Sequence, residues 1–383
     1  MKGMRIAYVL TAIAALVGYI VTDNGVALFL CVCLFVFPFL SLAVLFICKR
    51  RVKFSAEVRE SCIRGGALRI AMRVGVPRLS IGAVIVTAEI ENSTFGKTEI
   101  KTFMFKDLSF AEHVYEYVGS NAGRITVRFT KITLTDLMGL CAVSLPCSIV
   151  AEASVSPVLY DDLRVRIGAT QTDSLNGEDA LPQKGSDITE IYNVRDYEAG
   201  DAPNTVHWKL TAKLGSLQIK EFGRTDDNRT LILVDLSRKK FGEEATDAQL
   251  NAVLDIAVSL SAALKNGGIT HSVGWFNGGQ FECTEVVDSE TLVQMVYKLM
   301  SIKVCEGNSE TLFYFSRATE HLSFTKVLFV TSAVQTSELN DAGSASVTVL
   351  VAGDRSGETE ERGIKIVDVP LDNIGAALMR TAL

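Results

Sequence analysis

Two apolar runs at the head of the chain constrain what the rest can be. Ile6 to Thr22 and Val26 to Cys48 carry no charge, and only Asp23-Asn24-Gly25 separates them. As helices rising 1.5 Å per residue they reach about 26 and 34 Å. A hydrocarbon core is about 30 Å thick, so the second run crosses easily and the first only just. Asp-Asn-Gly is turn chemistry, and the pair reads as a tight transmembrane hairpin. A cleaved leader would need a small-x-small site before Asp23; a second apolar run follows instead.

Charge orients the hairpin. Residues 1–53 hold six Lys and Arg against Asp23 alone, a net of +5, while the whole 383-residue chain is −6, which leaves −11 on residues 54–383. Basic flanks (Lys2 and Arg5 before, Lys49, Arg50, Arg51 and Lys53 after) and an acidic turn put both termini and the main body on the cytoplasmic side of the cell membrane. An acidic body without a basic helix is a poor match for nucleic acid. The eight cysteines form no CxxC and the four histidines lie far apart, so no zinc site is expected and the thiols are expected to stay reduced.

The body divides by pattern into residues 54–150, 151–228 and 229–383. In the first, Val84, Val86, Ala88 and Ile90 alternate with polar or small residues, as do Ile125, Val127 and Phe129. Period two with one wet face predicts a small antiparallel β-sandwich, with Phe103 and Phe105 in its core. The middle stretch is polar and irregular, with a loop expected over 171–185. The last stretch alternates strand and helix. Thr230–Val234 is a buried-strand run. Thr246-Asp-Ala-Gln249 is a capping box, followed by Leu250, Val253, Leu254, Ala257, Val258 and Leu264 at helical spacing up to a Gly267-Gly268 stop. Strands are expected over 269–276, 326–331, 346–351 and 364–367, and a helix over 292–300. This alternation predicts a parallel sheet covered by helices, with a site beyond the carboxyl ends of its strands.

Two segments are candidates for that site or for binding. Asp235-Leu-Ser237-Arg-Lys239 directly follows the first buried strand. It resembles the D-x-S-x-S loop of von Willebrand factor A-like domains, which implies a doubly wound sheet and hard oxygen ligands suited to Mg²⁺. Lys239 stands at the second serine position, and Ser332 where the family carries an aspartate. Ser309 or Thr311 is the candidate third ligand. The expectation is a degenerate metal site on Asp235 and Ser237, with no resident cofactor, though Mg²⁺ stays open.

The second candidate runs from Tyr192 to Lys213. Arg195, Tyr197, Gly200, Asp201, Trp208, Lys209 and Ala212 match R-x-Y-x-x-G-D-x-x-R-x-I-x-W-K-x-x-A-R, with Asn204 and Lys213 in place of the two later arginines. Thr135-Asp136-Leu-Met-Gly139-Leu140 is similar to a D-P-F-G-L-F element. The chain thus resembles the "domain of unknown function 58" family over most of residues 1–330. Physically, Arg195, Asp196, Glu198, Asp201, Lys209 and Lys213 suit an ion-pair network with Trp208 as a core anchor; a partner-docking face and a catalytic constellation are the alternatives. The resemblance implies a non-enzymatic, membrane-anchored adaptor that presents a von Willebrand-like domain to a MoxR-type AAA ATPase or an envelope assembly partner. A Mg²⁺-dependent ligand binder and a membrane-tethered hydrolase are the rival readings. Gly96-Lys97-Thr98 lacks the earlier glycine of a P-loop, and no G-x-S-x-G occurs.

Overall fold

The computed structural model describes residues 2–22, 24–59, 61–76, 81–106, 109–160, 163, 191–196, 206–222, 230–277, 279–308, 311–318, 324–335, 346–361 and 363–380. Helices α1 (Lys2–Thr22) and α2 (Gly25–Lys49) form the hairpin, and both are long and apolar enough to cross a membrane. The Asn24 side chain caps α2 by accepting from the Val26 amide at 3.0 Å. Pro38 inside α2 has no N–H, so the carbonyl of Leu34, four residues back, loses its helical donor. The Tyr8 hydroxyl of α1 donates to that carbonyl. In a lipid setting an unsatisfied carbonyl costs heavily, so the tyrosine repairs what the proline breaks.

The two apolar runs differ in length because they do different things. Leu45 and Cys48, in the last turns of α2, are fully buried within the core of the next domain, and Val44 packs against the same cluster. The excess length of α2 is a plug into protein.

That domain is the sandwich. Its strands are β1 (Lys53–Val58), β2 (Ser61–Ile63), β3 (Ala67–Gly75), β4 (Ile81–Asn92), β5 (Lys97–Phe105), β6 (Ser109–Val118), β7 (Gly123–Asp136) and β8 (Ala142–Ser156). One sheet has the order β1-β3-β6, the other β2-β8-β7-β4-β5, antiparallel throughout except for β2 beside β8. Leu68, Ile70, Met72 and Val74 of β3 face Val84, Val86, Ala88 and Ile90 of β4 and Ile125, Val127 and Phe129 of β7 across one core. This is the alternation read from the sequence. Strand β8 continues to Ser156, past the boundary at residue 150.

A small unit follows: β9 (Ile191–Asp196), helix α3 (Trp208–Leu214) and β10 (Gln218–Phe222), with β9 and β10 antiparallel. Then comes the α/β unit: β11 (Thr230–Val234), β12 (Ser237–Lys240), β13 (Glu243–Glu244), α4 (Asp247–Asn266), β14 (His271–Asn277), β15 (Gln280–Val286), α5 (Ser289–Leu299), β16 (Cys305–Asn308), α6 (Thr311–Ala318), β17 (Lys326–Thr331), β18 (Ser346–Gly353), β19 (Gly357–Glu361), β20 (Ile364–Pro370) and α7 (Ile374–Arg380). Its seven-stranded sheet has the order β15-β14-β11-β17-β18-β20-β19. The five inner strands are parallel and the two edge strands antiparallel, so the all-parallel expectation holds only for the centre. Helices α4, α5 and α7 share one apolar cluster on one face, and Leu312 and Phe315 of α6 lie in a cluster on the other. Counted in chain order, the parallel strands lie 2-1-3-4-5, so the winding reverses between β11 and β17. Such a switch point opens a crevice beyond the strand ends.

Helix α4 starts at the expected capping box, with Thr246 and Gln249 bonding each other's backbone amides. Its apolar face covers the sheet. Its other face is a stripe at spacing four, Asp247, Asn251, Asp255 and Ser259, and this stripe bonds the sandwich. Arg64 pairs with the fully buried Asp255, which also accepts from the Val158 amide at 2.8 Å. Asn251 accepts from Ala122 N at 2.8 Å and donates to Asn121 at 2.9 Å, and Ser259 accepts from Tyr160 N at 3.1 Å. The two domains are thereby bolted together through one helix.

Candidate functional site

The switch-point crevice is where the first candidate lies. Asp235 follows β11 and its amide donates to the Val330 carbonyl of β17 at 3.0 Å. Around its carboxylate the fold gathers four further groups. Ser237 donates to Oδ1 and Thr311, at the start of α6, also bonds the carboxylate. Thr331, the last residue of β17, donates to Oδ2 at 3.2 Å. Lys240 brings its Nζ to 2.6 Å from Oδ2 and 3.0 Å from Thr331 Oγ1. Asp235, Ser237, Lys240 and Thr311 are all at most 3% exposed. Burial alone would raise the Asp235 pKa, but the Lys240 ammonium, helped by the Ser237 and Thr311 hydrogen bonds, holds it below the usual carboxylate range.

The oxygen-rich loop is therefore occupied by the chain's own ammonium. The sequence pattern pointed to Lys239, which is exposed; Lys240 is the residue that turns in. The reason is local. The pairing of β12 with β16 shifts register between Ser237 and Lys239, which moves the inward phase by one residue. Phe241 then takes a left-handed φ of 53° and Gly242 a φ of 86°, closing a tight turn into β13. The Lys240 ammonium also lies 4.9 Å from the ring centre of Phe329, which favours a cation there. Ser332 is buried beside the cluster but Thr331, one residue earlier, makes the contacts. Ser309 lies outside the described residues. Among the described residues no group of three or more His, Cys, Asp and Glu side chains converges.

A cavity of about 440 Å³ opens beside the cluster, lined by Leu236, Trp275, Phe276, Asn277, Lys303 and Cys305 among others. Trp275 and Asn277 both donate to Glu282, at 3.0 and 3.1 Å, which fixes that wall.

The second candidate is partly visible. Arg195 lies in β9 opposite Ile219 of β10. Helix α3 is capped by His207, whose Nδ1 accepts from Leu210 N at 3.2 Å, and ends at Gly215 with a φ of 75°. Asp196 accepts from Gln218, a contact outside the expected ion-pair set. Trp208 is 67% exposed, so it is not the core anchor that the sequence suggested. It opens a two-turn helix with no buried residue, and Val206 and Ile219 supply the local core instead. Lys209 and Lys213, four apart, are exposed on one face of that helix. Tyr197, Gly200 and Asp201 lie outside the described residues, as does Glu198.

A serine–histidine contact also exists. Ser261 Oγ is 2.7 Å from His271 Nε2, and His271 Nδ1 is 3.0 Å from the Ile269 carbonyl. Both side chains are buried between α4 and β14, Ser261 wholly and His271 2% exposed, and burial pushes the imidazole pKa down.

Fold and site together define a class: a mixed α/β sheet with a parallel centre and a lysine-filled switch-point loop, docked on a sandwich that two apolar helices carry. Residues 193–293 match the model of the family described as "Protein of unknown function DUF58", a span that takes in the signature from Arg195 to Lys213 and the Asp235 loop. No curated protein matches the sequence. Among solved structures, a protein described as a β-galactosidase from Bacteroides fragilis is 10% identical with a TM-score of 0.17, and a β-glucuronidase from Bacteroides uniformis is 9% identical with a TM-score of 0.18. Each alignment covers 79% of this chain, which spans only 39% and 33% of those proteins. At such TM-scores neither likeness bears on fold or function.

Proposed function

We propose that the protein is a membrane-anchored, non-enzymatic adaptor whose cytoplasmic α/β domain is von Willebrand-like, with Lys240 standing where such domains hold a divalent cation. The observation that carries this reading is the buried Lys240–Asp235 pair at the switch point. A ligand loop neutralised from within has no need of Mg²⁺, and an ammonium already bonded to Asp235 repels a second cation. The strand order, with Asp235 after β11 and Thr331 at the end of β17, supports the von Willebrand-like assignment. The exposed Trp208, Lys209 and Lys213 favour a docking face at the family signature, and a MoxR-type AAA ATPase is the partner that the family resemblance implies.

The test is affinity capture of the full-length protein from its native membranes in mild detergent, with and without ATP, read by mass spectrometry. The expected result is an AAA ATPase whose capture is lost in Lys209→Glu/Lys213→Glu, a change at exposed positions that leaves the fold intact. Absence of any such ATPase in both nucleotide states refutes the adaptor reading. Mg²⁺ at millimolar concentration is expected to leave the melting temperature of the natural protein unchanged; a rise abolished by Asp235→Ala would instead favour the cation-dependent ligand binder.

A further inference from the structure

The turn joining β7 and β8, Leu137-Met138-Gly139-Leu140, adjoins the place where these strands meet the hairpin. Cys141, the residue after it, places its Sγ 3.6 Å from the Pro38 carbonyl of α2. It lies close enough to Arg5 and Tyr8 of α1 for their fields to reach one another. Strands β7 and β8 both contact α2. Pro38 is eleven residues above Lys49, about 16 Å along a helix axis. The turn is thus level with the first turns of α1, where Arg5 ends the basic head of the chain.

The bilayer boundary falls at the same level. Leu45 and Cys48 are buried in protein, so the lipid-facing part of α2 ends above them. Tyr8 bonds Leu34, and three residues earlier along the antiparallel pairing Arg5 falls near Phe37 and Pro38 of α2, two turns before Leu45. A charged side chain sits at the interface and not within hydrocarbon. What projects at that depth is an apolar tip: Leu137 is 68% exposed and Met138 48%. The tip is built to be held out. Asp136 is 4% exposed, its Oδ1 accepts from Cys141 N at 2.9 Å, and Gly139 takes a φ of 66° that a side chain would resist.

We infer that the β7–β8 turn is a third membrane contact, its Leu137 and Met138 side chains immersed at the boundary between headgroups and acyl chains. The occupant of this surface is lipid, because the exposed apolar tip adjoins the Cys141 contact with the apolar helix α2 and lies at the polar end of the hairpin. The inference rests on the hairpin spanning the bilayer. It makes the sandwich touch the membrane at a second point, away from the helix axis, so the body is held upright and does not lean.

The test uses the full chain in phosphatidylcholine–phosphatidylglycerol vesicles and three single variants, Leu137→Trp, Met138→Trp and Phe35→Trp. Emission is compared with that of the natural protein, which carries Trp208 and Trp275. In vesicles brominated at the upper acyl chain, the emission added at 137 and 138 is expected to drop by about twofold or more, as for a side chain at the shallow depth of interfacial anchors. Aqueous iodide is expected to leave it unchanged. Quenching by iodide, or by neither agent, overturns the inference: the tip then lies in water or against protein. Phe35→Trp separates the two readings. If it is quenched by brominated lipid while 137 and 138 are not, the hairpin spans and only the third contact fails. If it is not quenched, the anchor fails and takes this contact with it.

Discussion

Removing the Lys240 ammonium while keeping its volume, as Lys240→Met, tests the centre of the site. Asp235 and Lys240 are 3% and 2% exposed, so the substitution strands a nearly buried carboxylate without its counter-ion. Breaking a buried pair from one side costs about 3–5 kcal/mol, most of it the penalty of the charge left behind. For a domain of this size 1 kcal/mol moves the midpoint by about 2–4 °C, so the α/β unit is expected to melt about 6–20 °C lower. The assay is differential scanning calorimetry in detergent. The pH dependence carries the sharper signature. In the natural protein the folded pKa of Asp235 is depressed, so its contribution is present above the unfolded value of 3.8 and is lost as pH falls through the lower folded value. In Lys240→Met only burial and the weaker hydrogen bonds remain, and burial raises the folded pKa. The destabilisation then shrinks as pH falls toward that raised value, because the folded state takes up the proton first. A midpoint within about 1 °C of the natural protein at pH 7, where 1 kcal/mol already moves it further, would falsify the claim that the ammonium is the counter-ion of this site.

Three further outcomes are expected. Asp247 of α4 is pressed upward in pKa by burial but is held down to about 2 by Lys97, Arg238 and Asn121; its stabilisation, present above 3.8, is lost between there and about 2, so Asp247→Asn flattens that limb of an acid-denaturation curve. Tyr8→Phe leaves the Leu34 carbonyl without its donor and is expected to cost about 1 kcal/mol in the unfolding of the hairpin in detergent. Leu45→Ala is expected to destabilise the sandwich by about 3 kcal/mol, read by denaturant unfolding of β-signal circular dichroism, because it opens a cavity in a protein core; a near-zero effect would mean that this turn of α2 faces lipid.

What the sequence disclosed depended on whether the signal was local. The hairpin was legible because charge-free length suffices, and β4 and β7 because alternation reports one buried face. The capping box at Thr246 announced α4 to the residue. The polar stripe of the same helix is not legible alone, since Asp247, Asn251, Asp255 and Ser259 fit a solvated face as well as an interface until the sandwich stands against them; their spacing of four is the available hint. Asp235 and Ser237 were placed by their position after a buried strand. Lys240 was not, because a register shift in a four-residue strand inverts the inside and outside of neighbours, and no period survives over so short a run. Strand β15 was missed for a related reason: at the sheet edge most of its side chains are wet and its alternation is faint.

Helix α2 passes from the lipid-facing hairpin into the sandwich core without a joint, which has a consequence for azimuth. A domain on a flexible tether samples every heading in the plane of the membrane. This one is keyed to its shaft, so its faces keep a fixed bearing relative to α1. One residue inserted between Ser41 and Leu45 would lift the body by about 1.5 Å and swing it by about 100°, as one step of an α-helix dictates. Under the membrane-anchored reading proposed above, neighbours in the same membrane meet the protein from a set compass direction, chosen by the length of a helix.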